Sequence, residues 1–147
     1  MSKKLLVTSA LSSTWSNKEF MIFLGDWCKK DNNFSSLDKE KYQIFKYHWD
    51  DRSKLKKDYE YLKILEKKVL LELIKFLNSY HNKNFSERYW KILLGPWLIT
   101  LLQIIFERYS NLKFFFEENK GEEIETIILN KQKKQNFISN NFEEFSR

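Results

Sequence analysis

The clearest pattern in the chain is a repeat of apolar residues at steps of three and four between Asp51 and Tyr80. These steps place the apolar side chains on one face of a helix, and lysine is frequent on the remaining face. The pattern predicts one amphipathic helix, about 40 Å long at a rise of about 1.5 Å per residue. Asp50 or Asp51 is predicted to cap its first turn, because a carboxylate accepts hydrogen bonds from the unpaired backbone N–H groups there. The apolar positions are Leu55, Tyr59, Leu62, Leu65, Val69, Leu73, Phe76, Leu77 and Tyr80.

Four short segments outside this helix are predicted to be strands: residues 3–9, 19–27, 42–49 and 124–130. The second of them contains an unbroken apolar run, Phe-Met-Ile-Phe-Leu. Such a run without alternation is typical of a strand that is buried on both faces of a parallel sheet. The polar segment between the second and third strands is predicted to be a loop.

A second helical region is predicted after the long helix. One short helix is expected over residues 86–94 and a longer one over residues 96–116. Gly95 followed by Pro96 favours the end of one helix and the start of another, because proline suits a first helical turn. Residues 90–106 are the most apolar stretch of the chain, but polar residues interrupt them. They are therefore predicted to form a buried helix of a soluble fold, and no transmembrane segment is expected.

These elements together predict an α/β fold. We expect a Rossmann-like layered domain with a short, mostly parallel sheet and long helices. A mainly helical fold with a small sheet is the alternative. A single α/β domain is expected over residues 1–130. Residues 131–147 are expected to form a polar linker and the start of a further element, a short helix after Asn140 or Asn141.

Composition narrows the classes of function. The formal net charge is +6 and the isoelectric point is about 9.2. The basic residues are mostly lysines spread among glutamate and aspartate, so no basic patch is indicated and nucleic acid is not an expected partner. The single cysteine, Cys28, cannot form an internal disulfide, which favours a reducing compartment. One cysteine and two histidines also make a zinc site unexpected, and no metal ligand is predicted.

The segment 47–52, YHWDDR, concentrates polar functional groups at the end of the third predicted strand. Ligands of open α/β sheets bind beyond the carboxyl ends of the strands, so this junction is a candidate site. His48 is the candidate general base or acid, and a neighbouring carboxylate, Asp50 or Asp51, could hold its tautomer. His48 and Asp50 would share a face if the strand continued through them. Arg52 could bind a carboxylate or a phosphate through two parallel hydrogen bonds.

Two further clusters are candidate substrate contacts. Gly25 and Asp26 follow the second predicted strand, where glycine permits close approach of the backbone to a ligand. No complete phosphate-binding loop accompanies them. Arg88, Tyr89 and Trp90 begin the second helical region, where backbone N–H groups and an arginine favour an anion and the aromatic rings suit a sugar. A packed aromatic joint is an equally good explanation of this last cluster.

Three motifs taken together resemble a known family. FLGDWC, YHWDDRSKLKKDYEYL and RYWKILLGPWL, in this order and spacing, resemble the LIC12162-type transferases that accompany bacterial surface-carbohydrate (O-antigen type) biosynthesis. The family pattern is close to FLGEWC, YHWDDR, DYxYL and RYWRIxxGPWL. Asp26 and Lys91 replace a glutamate and an arginine of that pattern, and both keep the charge. The likeness extends from about Lys4 to Tyr109, with a weaker tail through NNFEEF.

The resemblance implies an enzyme that is incomplete in this chain, because family members are several times longer. The chain would be the amino-terminal part of a glycosyl- or related group transferase of surface polysaccharide biosynthesis, cytoplasmic or peripheral to the inner membrane face. It would hold acceptor contacts, whereas a nucleotide-sugar donor would bind mainly to the carboxyl-terminal part, so no cofactor is expected here. A carbohydrate or activated sugar and the remaining part of the transferase are the expected partners. The alternative is a non-catalytic binding or interaction module from a truncated or split transferase.

The expected active site follows from these candidates. His48 is the predicted base, oriented by Asp50 or Asp51, and Arg52 and Arg88 are predicted to contact the substrate. These side chains are expected to converge on one solvent-accessible hollow at the edge of the sheet.

Overall fold

The computed structural model describes residues 3–128, apart from Asn17 and Asp31. The chain divides into two compact units: a sheet unit, made of residues up to Tyr47 and from Asn111 onward, and a helical unit, His48–Ser110. The predicted single domain over residues 1–130 stays a prediction, and the linker and helix predicted over 131–147 lie outside the described residues. The described strands and α-helices are β1 (Lys4–Val7), β2 (Phe20–Phe23), β3 (Tyr42–Ile44), α1 (Arg52–Tyr80), α2 (Glu87–Glu118) and β4 (Ile124–Glu125).

The sheet unit contains four parallel strands in the order β3-β2-β1-β4. The last three residues of both β1 and β2 are buried, which confirms the prediction from the unbroken apolar run. The connections from β1 to β2 and from β2 to β3 contain short 3-10 turns. The α/β class, with a short parallel sheet and long helices, is confirmed. The Rossmann-like assignment within that class stays a prediction.

Phe23 lies at the centre of the core of the sheet unit. Its ring makes edge-to-face contacts with Trp15, Phe34 and Tyr42 at centroid distances of 5.4 to 5.5 Å. Such contacts are the favoured geometry for aromatic pairs. These partners come from the connections and from β3, so the residues between strands are part of the core.

All four strands are shorter than predicted, and the difference bears most on the third. The third ends at Ile44, although the backbone N–H of Phe45 still bonds to the carbonyl of Phe23 at 2.8 Å. Residues His48–Asp50 form a 3-10 turn, so the expectation that His48 and Asp50 share a strand face is wrong. The chain turns here because it must enter α1 two residues later. The fourth strand, predicted over residues 124–130, covers Ile124–Glu125 in the described part of the chain, and residues 129–130 lie outside that part.

Helix α1 has the predicted position, and Asp51 is its cap. One carboxylate oxygen of Asp51 accepts hydrogen bonds from the backbone N–H groups of Ser53 and Lys54 at 2.8 and 3.2 Å. This arrangement pairs two of the four backbone donors that a helix start leaves free.

Helix α2 is continuous, so the predicted break at Gly95 and Pro96 is wrong. Proline at 96 removes the backbone hydrogen bond to the carbonyl of Ile92. Both Pro96 and Ile92 are exposed, so water can satisfy that carbonyl. The hydroxyl of Thr100 donates to the carbonyl of Pro96 at 3.0 Å and adds a local bond.

Asn78 fixes the turn between the two helices within the helical unit. Its amide N–H donates to the carbonyl of Phe85 at 3.0 Å. Its oxygen accepts from the Phe85 backbone N–H at 3.1 Å and from the Trp90 indole N–H at 2.9 Å. One side chain therefore joins the end of α1 to the start of α2.

The apolar stretch of α2 is far less buried than predicted. In the described part of the chain one helix, α2, is long and apolar enough to cross a membrane, judged by its length and composition alone. Only 17% of its most apolar stretch is buried. The side that is covered carries the buried Trp90 and Leu98. The expectation of a buried helix is therefore wrong for most of this stretch, because in the helical unit only α1 packs along it.

Candidate functional site

The start of α1 and the turn before it hold a cluster of polar side chains in the helical unit. The indole N–H of Trp49 donates to Oδ2 of Asp58 at 2.9 Å, and the ammonium group of Lys54 binds the same oxygen. The His48 ring lies against Trp49, with a centroid distance of 4.7 Å. The helix places Lys54 and Asp58 four residues apart on one face, which brings their side chains together.

His48 is buried, with 3% of its surface exposed. Burial lowers the pKa of this imidazole to about 4, and the positive charge of Lys54 adds to the effect, while the negative charge of Asp58 opposes it. Desolvation acts in this direction because it penalises the charged imidazolium. His48 is therefore neutral at pH 7, the form in which one ring nitrogen of an imidazole is an acceptor and the other a donor.

Asp58 is the charged partner at the centre of this cluster. Burial acts to raise the pKa of its carboxyl group, but the hydrogen bonds from Lys54 and Trp49 outweigh it, and the pKa is lowered. The carboxylate accepts two hydrogen bonds and stays ionised. Asp58 thereby fixes the orientation of the Trp49 indole, whose ring also stacks near Phe106 at 6.3 Å.

Two adjoining hollows lie between α1 and α2, beside this cluster. Their volumes are about 300 and about 240 Å³, and they share Tyr59, Leu62 and Gln103. The larger volume lies at the lower end of the range for small-molecule pockets. The larger hollow is also lined by Trp49, Leu55, Ile104 and Glu107, and the smaller one by Lys63, Glu66, Ile99 and Leu102.

Several polar groups of these hollows have no partner in the described part of the protein. The carboxylate of Glu107, the amide of Gln103 and the hydroxyl of Tyr59 make neither a hydrogen bond nor an ion pair to any described residue. They lie beside the Trp49 indole, whose own position is fixed. The larger hollow thus combines an aromatic surface with hydrogen-bonding groups that are available to a ligand.

The residues predicted around His48 take different roles. Asp51 caps α1 and is exposed, and Asp50 is exposed in the turn before it. The carboxylate whose charge acts on the His48 imidazole is Asp58. Arg52 is exposed at the first position of α1. The catalytic roles of His48, Asp50 and Asp51 stay predictions.

Arg88 does not join this group. It lies one residue after the start of α2, next to the turn that Asn78 fixes at the far end of α1. Arg52 begins α1, and 29 residues of helix separate the two ends by about 40 Å. The structure therefore does not bring Arg52 and Arg88 to one hollow.

Tyr89 and Trp90 form part of the aromatic joint at that far end. Trp90 is buried and its indole donates to Asn78, while Tyr89 is exposed and stacks on Phe85 at a centroid distance of 4.3 Å. This geometry fits the packing explanation for both rings. Their substrate-binding role stays a prediction.

Gly25 and Asp26 belong to the sheet unit. A Cβ at Gly25 would lie 2.1 Å from the ring of Trp27, so glycine is needed here to make room for that indole. The Trp27 N–H donates to the carbonyl of Thr8 at 3.1 Å, which holds the ring in place. Asp26 is exposed and pairs with Lys29. Their predicted role in binding substrate is untested.

The structure adds site residues that the sequence analysis did not select. Asp58 and Tyr59 lie in the DYEYL part of the motif, and the spacing of Lys54 and Asp58 predicts an ion pair on a helix. These were the signals that could have identified them. The sequence carries no comparable signal for Gln103 and Glu107. They are more than 50 residues from Trp49 in the sequence, and only the packing of α2 beside α1 brings them to the same hollow.

Comparison with known proteins identifies a family for the chain. The family model described as "LIC12162 family transferase" matches residues 4–147, which is nearly the whole chain. No curated protein and no solved structure matches the chain.

Proposed function

The chain belongs to the LIC12162 family of transferases, and from that premise we propose that it carries the acceptor-binding part of a glycosyl- or related group transferase. The proposed pathway class is the assembly of bacterial surface polysaccharide, of which O-antigen is one type. The observation that supports a sugar acceptor is the larger hollow between α1 and α2. Aromatic side chains and polar groups without described partners line the same space there.

A sugar fits the chemistry of this hollow. One face of a pyranose ring is apolar and packs on aromatic side chains, such as Trp49 and Tyr59, while its hydroxyl groups donate to carboxylate and amide oxygens. Glu107 and Gln103 supply such oxygens at the same hollow. A volume of about 300 Å³ favours a single sugar residue over a whole nucleotide sugar. We therefore assign the nucleotide-sugar donor to the remaining part of the transferase.

His48 is the proposed general base of the transfer. Its pKa of about 4 leaves the imidazole at pH 7 in the neutral form that a general base needs, and burial makes it a weak base in that form. It contacts Trp49, which lines the hollow. In a full-length family member that carries YHWDDR, replacing this histidine with glutamine is expected to abolish transfer while sugar binding persists.

A non-catalytic binding module is the second candidate. The observation in its favour is the burial of His48, since a base must reach the hydroxyl proton that it removes. In this case the histidine variant of the full-length protein would transfer at the normal rate. That result would remove the catalytic role of His48 and leave the binding role intact.

Sugar binding can be measured on this chain directly. A panel of simple sugars, including glucose, galactose and N-acetylglucosamine, would be titrated into the protein and followed by chemical-shift changes of backbone amides. Saturable shifts are expected at the hollow. Glu107→Gln and Gln103→Ala are expected to weaken binding by about fivefold or more each, because the first replaces a charged acceptor with a weaker neutral one and the second removes hydrogen bonds to hydroxyl groups.

A matched control is Glu60→Gln, which neutralises an exposed carboxylate of α1 that does not line either hollow. This variant is expected to bind sugars as the unmodified chain does. Equal losses of sugar affinity in Glu60→Gln and Glu107→Gln would show that the affinity responds to the total charge of the chain and not to the carboxylate at the hollow. Shifts confined to residues outside the hollow, or no saturable shifts with any sugar, would contradict the proposed acceptor site.

A further inference from the structure

The smaller hollow continues the larger one along the interface between α1 and α2. The two share Tyr59, Leu62 and Gln103, and all of their lining residues belong to the helical unit. On α2 the lining residues include Ile99, Gln103 and Glu107, which lie four residues apart on one helix face. The rise along the helix axis from Ile99 to Glu107 is about 12 Å. The two hollows thus form one groove, which is longer than a single pyranose ring.

The two ends of this groove lie at different distances from the proposed base. The larger hollow is lined by Trp49, which contacts the His48 ring. On α1 the residues that line the larger hollow end at Leu62, whereas those of the smaller hollow continue to Glu66. The smaller hollow is therefore the place for the part of a ligand that extends away from His48.

The smaller hollow has polar side chains of its own. Lys63 and Glu66 lie three residues apart on α1, and neither makes a hydrogen bond or an ion pair to any described residue. An ammonium group donates hydrogen bonds and a carboxylate accepts them, so the two can bind different hydroxyl groups of one sugar. The volume of this hollow, about 240 Å³, is close to that of the larger one and suits one further sugar residue.

Tyr59 and Gln103 lie where the two hollows meet. Tyr59 is 56% exposed, so its ring is available to pack on the apolar face of a sugar. The amide of Gln103 has two donor hydrogens and an acceptor oxygen, and it can bind hydroxyl groups of two adjacent sugar residues at once. These shared groups suit a ligand that runs from one hollow into the other.

The charges of the groove favour a neutral ligand. Its lining residues carry two carboxylates, Glu66 and Glu107, and one ammonium group, Lys63. A phosphate in the smaller hollow would add negative charge to a groove whose net charge is already negative, which disfavours binding. A neutral sugar residue avoids this repulsion and can still bind to all three groups.

We propose that the groove binds a disaccharide unit, and that the smaller hollow is a second subsite for the sugar residue next to the acceptor residue. This inference rests on the proposed acceptor function of the larger hollow. The terminal sugar residue occupies the larger hollow, on the side of Trp49 and His48. The preceding residue occupies the smaller hollow, with its hydroxyl groups bound to Lys63 and Glu66. The acceptor class is therefore the end of an oligosaccharide and not a free monosaccharide.

The test compares each monosaccharide with disaccharides that have the same residue at their non-reducing end. The sets are glucose with cellobiose and maltose, galactose with lactose, and N-acetylglucosamine with diacetylchitobiose. At least one disaccharide is expected to bind about fivefold or more tightly than its monosaccharide, because it adds hydrogen bonds at the second subsite. The additional chemical-shift changes are expected at backbone amides near Glu66 and Ile99.

The double variant Lys63→Gln/Glu66→Gln removes one charge of each sign and leaves the net charge of the chain unchanged. The ratio of disaccharide to monosaccharide affinity is expected to fall to about one in this variant. Glu60→Gln/Lys67→Gln is the matched control, since it makes the same changes at exposed positions of α1 that line neither hollow. The control is expected to keep the ratio of the unmodified chain, and circular dichroism checks that each variant keeps its helix content.

Monosaccharide binding tests the proposed acceptor site, whereas the affinity ratio tests the second subsite. Saturable shifts at the larger hollow with a monosaccharide, together with equal affinity for every matched disaccharide, would overturn the second subsite and leave the acceptor site intact. An unchanged ratio in Lys63→Gln/Glu66→Gln, or an equal fall in the control, would overturn it as well. If no sugar of either kind binds, both the acceptor site and the second subsite are refuted.

Discussion

Lowering the pH from 7 to 5 is expected to destabilise the chain through His48. The folded-state pKa is about 4, whereas an unfolded chain has the ordinary histidine value of 6.5. Below pH 6.5 the unfolded state takes up a proton that the folded state refuses, so stability falls as the pH falls towards 4. The difference between pH 7 and pH 5 amounts to about 2 kcal/mol, with a limit of about 3 kcal/mol below pH 4.

The effect of His48 on stability can be separated from the effect of the nearby Asp58 carboxylate. The pKa of Asp58 is lowered, so its contribution is present above its unfolded value of 3.8 and is lost only below it. The interval from pH 7 to pH 5 therefore reports on His48 and not on Asp58.

The assay is urea unfolding followed by circular dichroism at pH 7 and pH 5, for the unmodified chain and for His48→Gln. The variant cannot take up the proton, so its loss of stability over this interval is expected to be smaller by about 2 kcal/mol. An NMR titration of the imidazole protons is expected to place the midpoint of His48 near 4, and His81→Gln assigns the two signals. Equal pH dependence of the two proteins, or a His48 midpoint near 6.5, would refute the reasoning.

Three further substitutions test the framework, each by urea unfolding. Gly25→Ala is expected to cost about 1 to 3 kcal/mol, because the new Cβ would overlap the Trp27 ring. A variant of unchanged stability would show that the ring can move. Asn78→Ala removes three hydrogen bonds at the turn between the helices and is expected to cost about 1 to 3 kcal/mol, with faster amide exchange at the start of α2. Asp51→Ala is expected to cost about 1 kcal/mol by removing the cap of α1, whereas Asp50→Ala, at the adjacent exposed carboxylate, should cost much less. Equal costs for the two aspartates would contradict the assignment of Asp51 as the cap.

The local sequence pattern was sufficient to locate α1 and the strand that begins at Phe20. The repeat of three and four placed α1, and the Asp-Asp pair before it supplied the cap, because both depend on residues within one or two helical turns. The unbroken run from Phe20 likewise identified a strand buried in a parallel sheet. The same local reasoning failed at Gly95 and Pro96, where the exposure of the affected carbonyl lets the helix continue.

At the candidate site, the local sequence pattern identified the segment but not the residues that interact in it. YHWDDR correctly marked the start of α1 as rich in functional groups, but it linked His48 with Asp50 and Asp51. Residues His48–Asp50 form a 3-10 turn and not a strand. The carboxylate that acts on His48 therefore belongs to Asp58, which lies ten residues further along the sequence.

By itself, the sequence determined the class of the fold, the long helix with two candidate capping residues, and the family to which the chain belongs. The tertiary structure decided which side chains meet. It set Glu107 and Gln103 beside Trp49, separated Arg88 from Arg52 by the length of α1, and left apolar side chains of α2 such as Ile92 and Trp97 exposed. The physical reason is that backbone preferences act over a few residues, whereas burial and the contacts that shift a pKa depend on the packing of segments far apart in the chain.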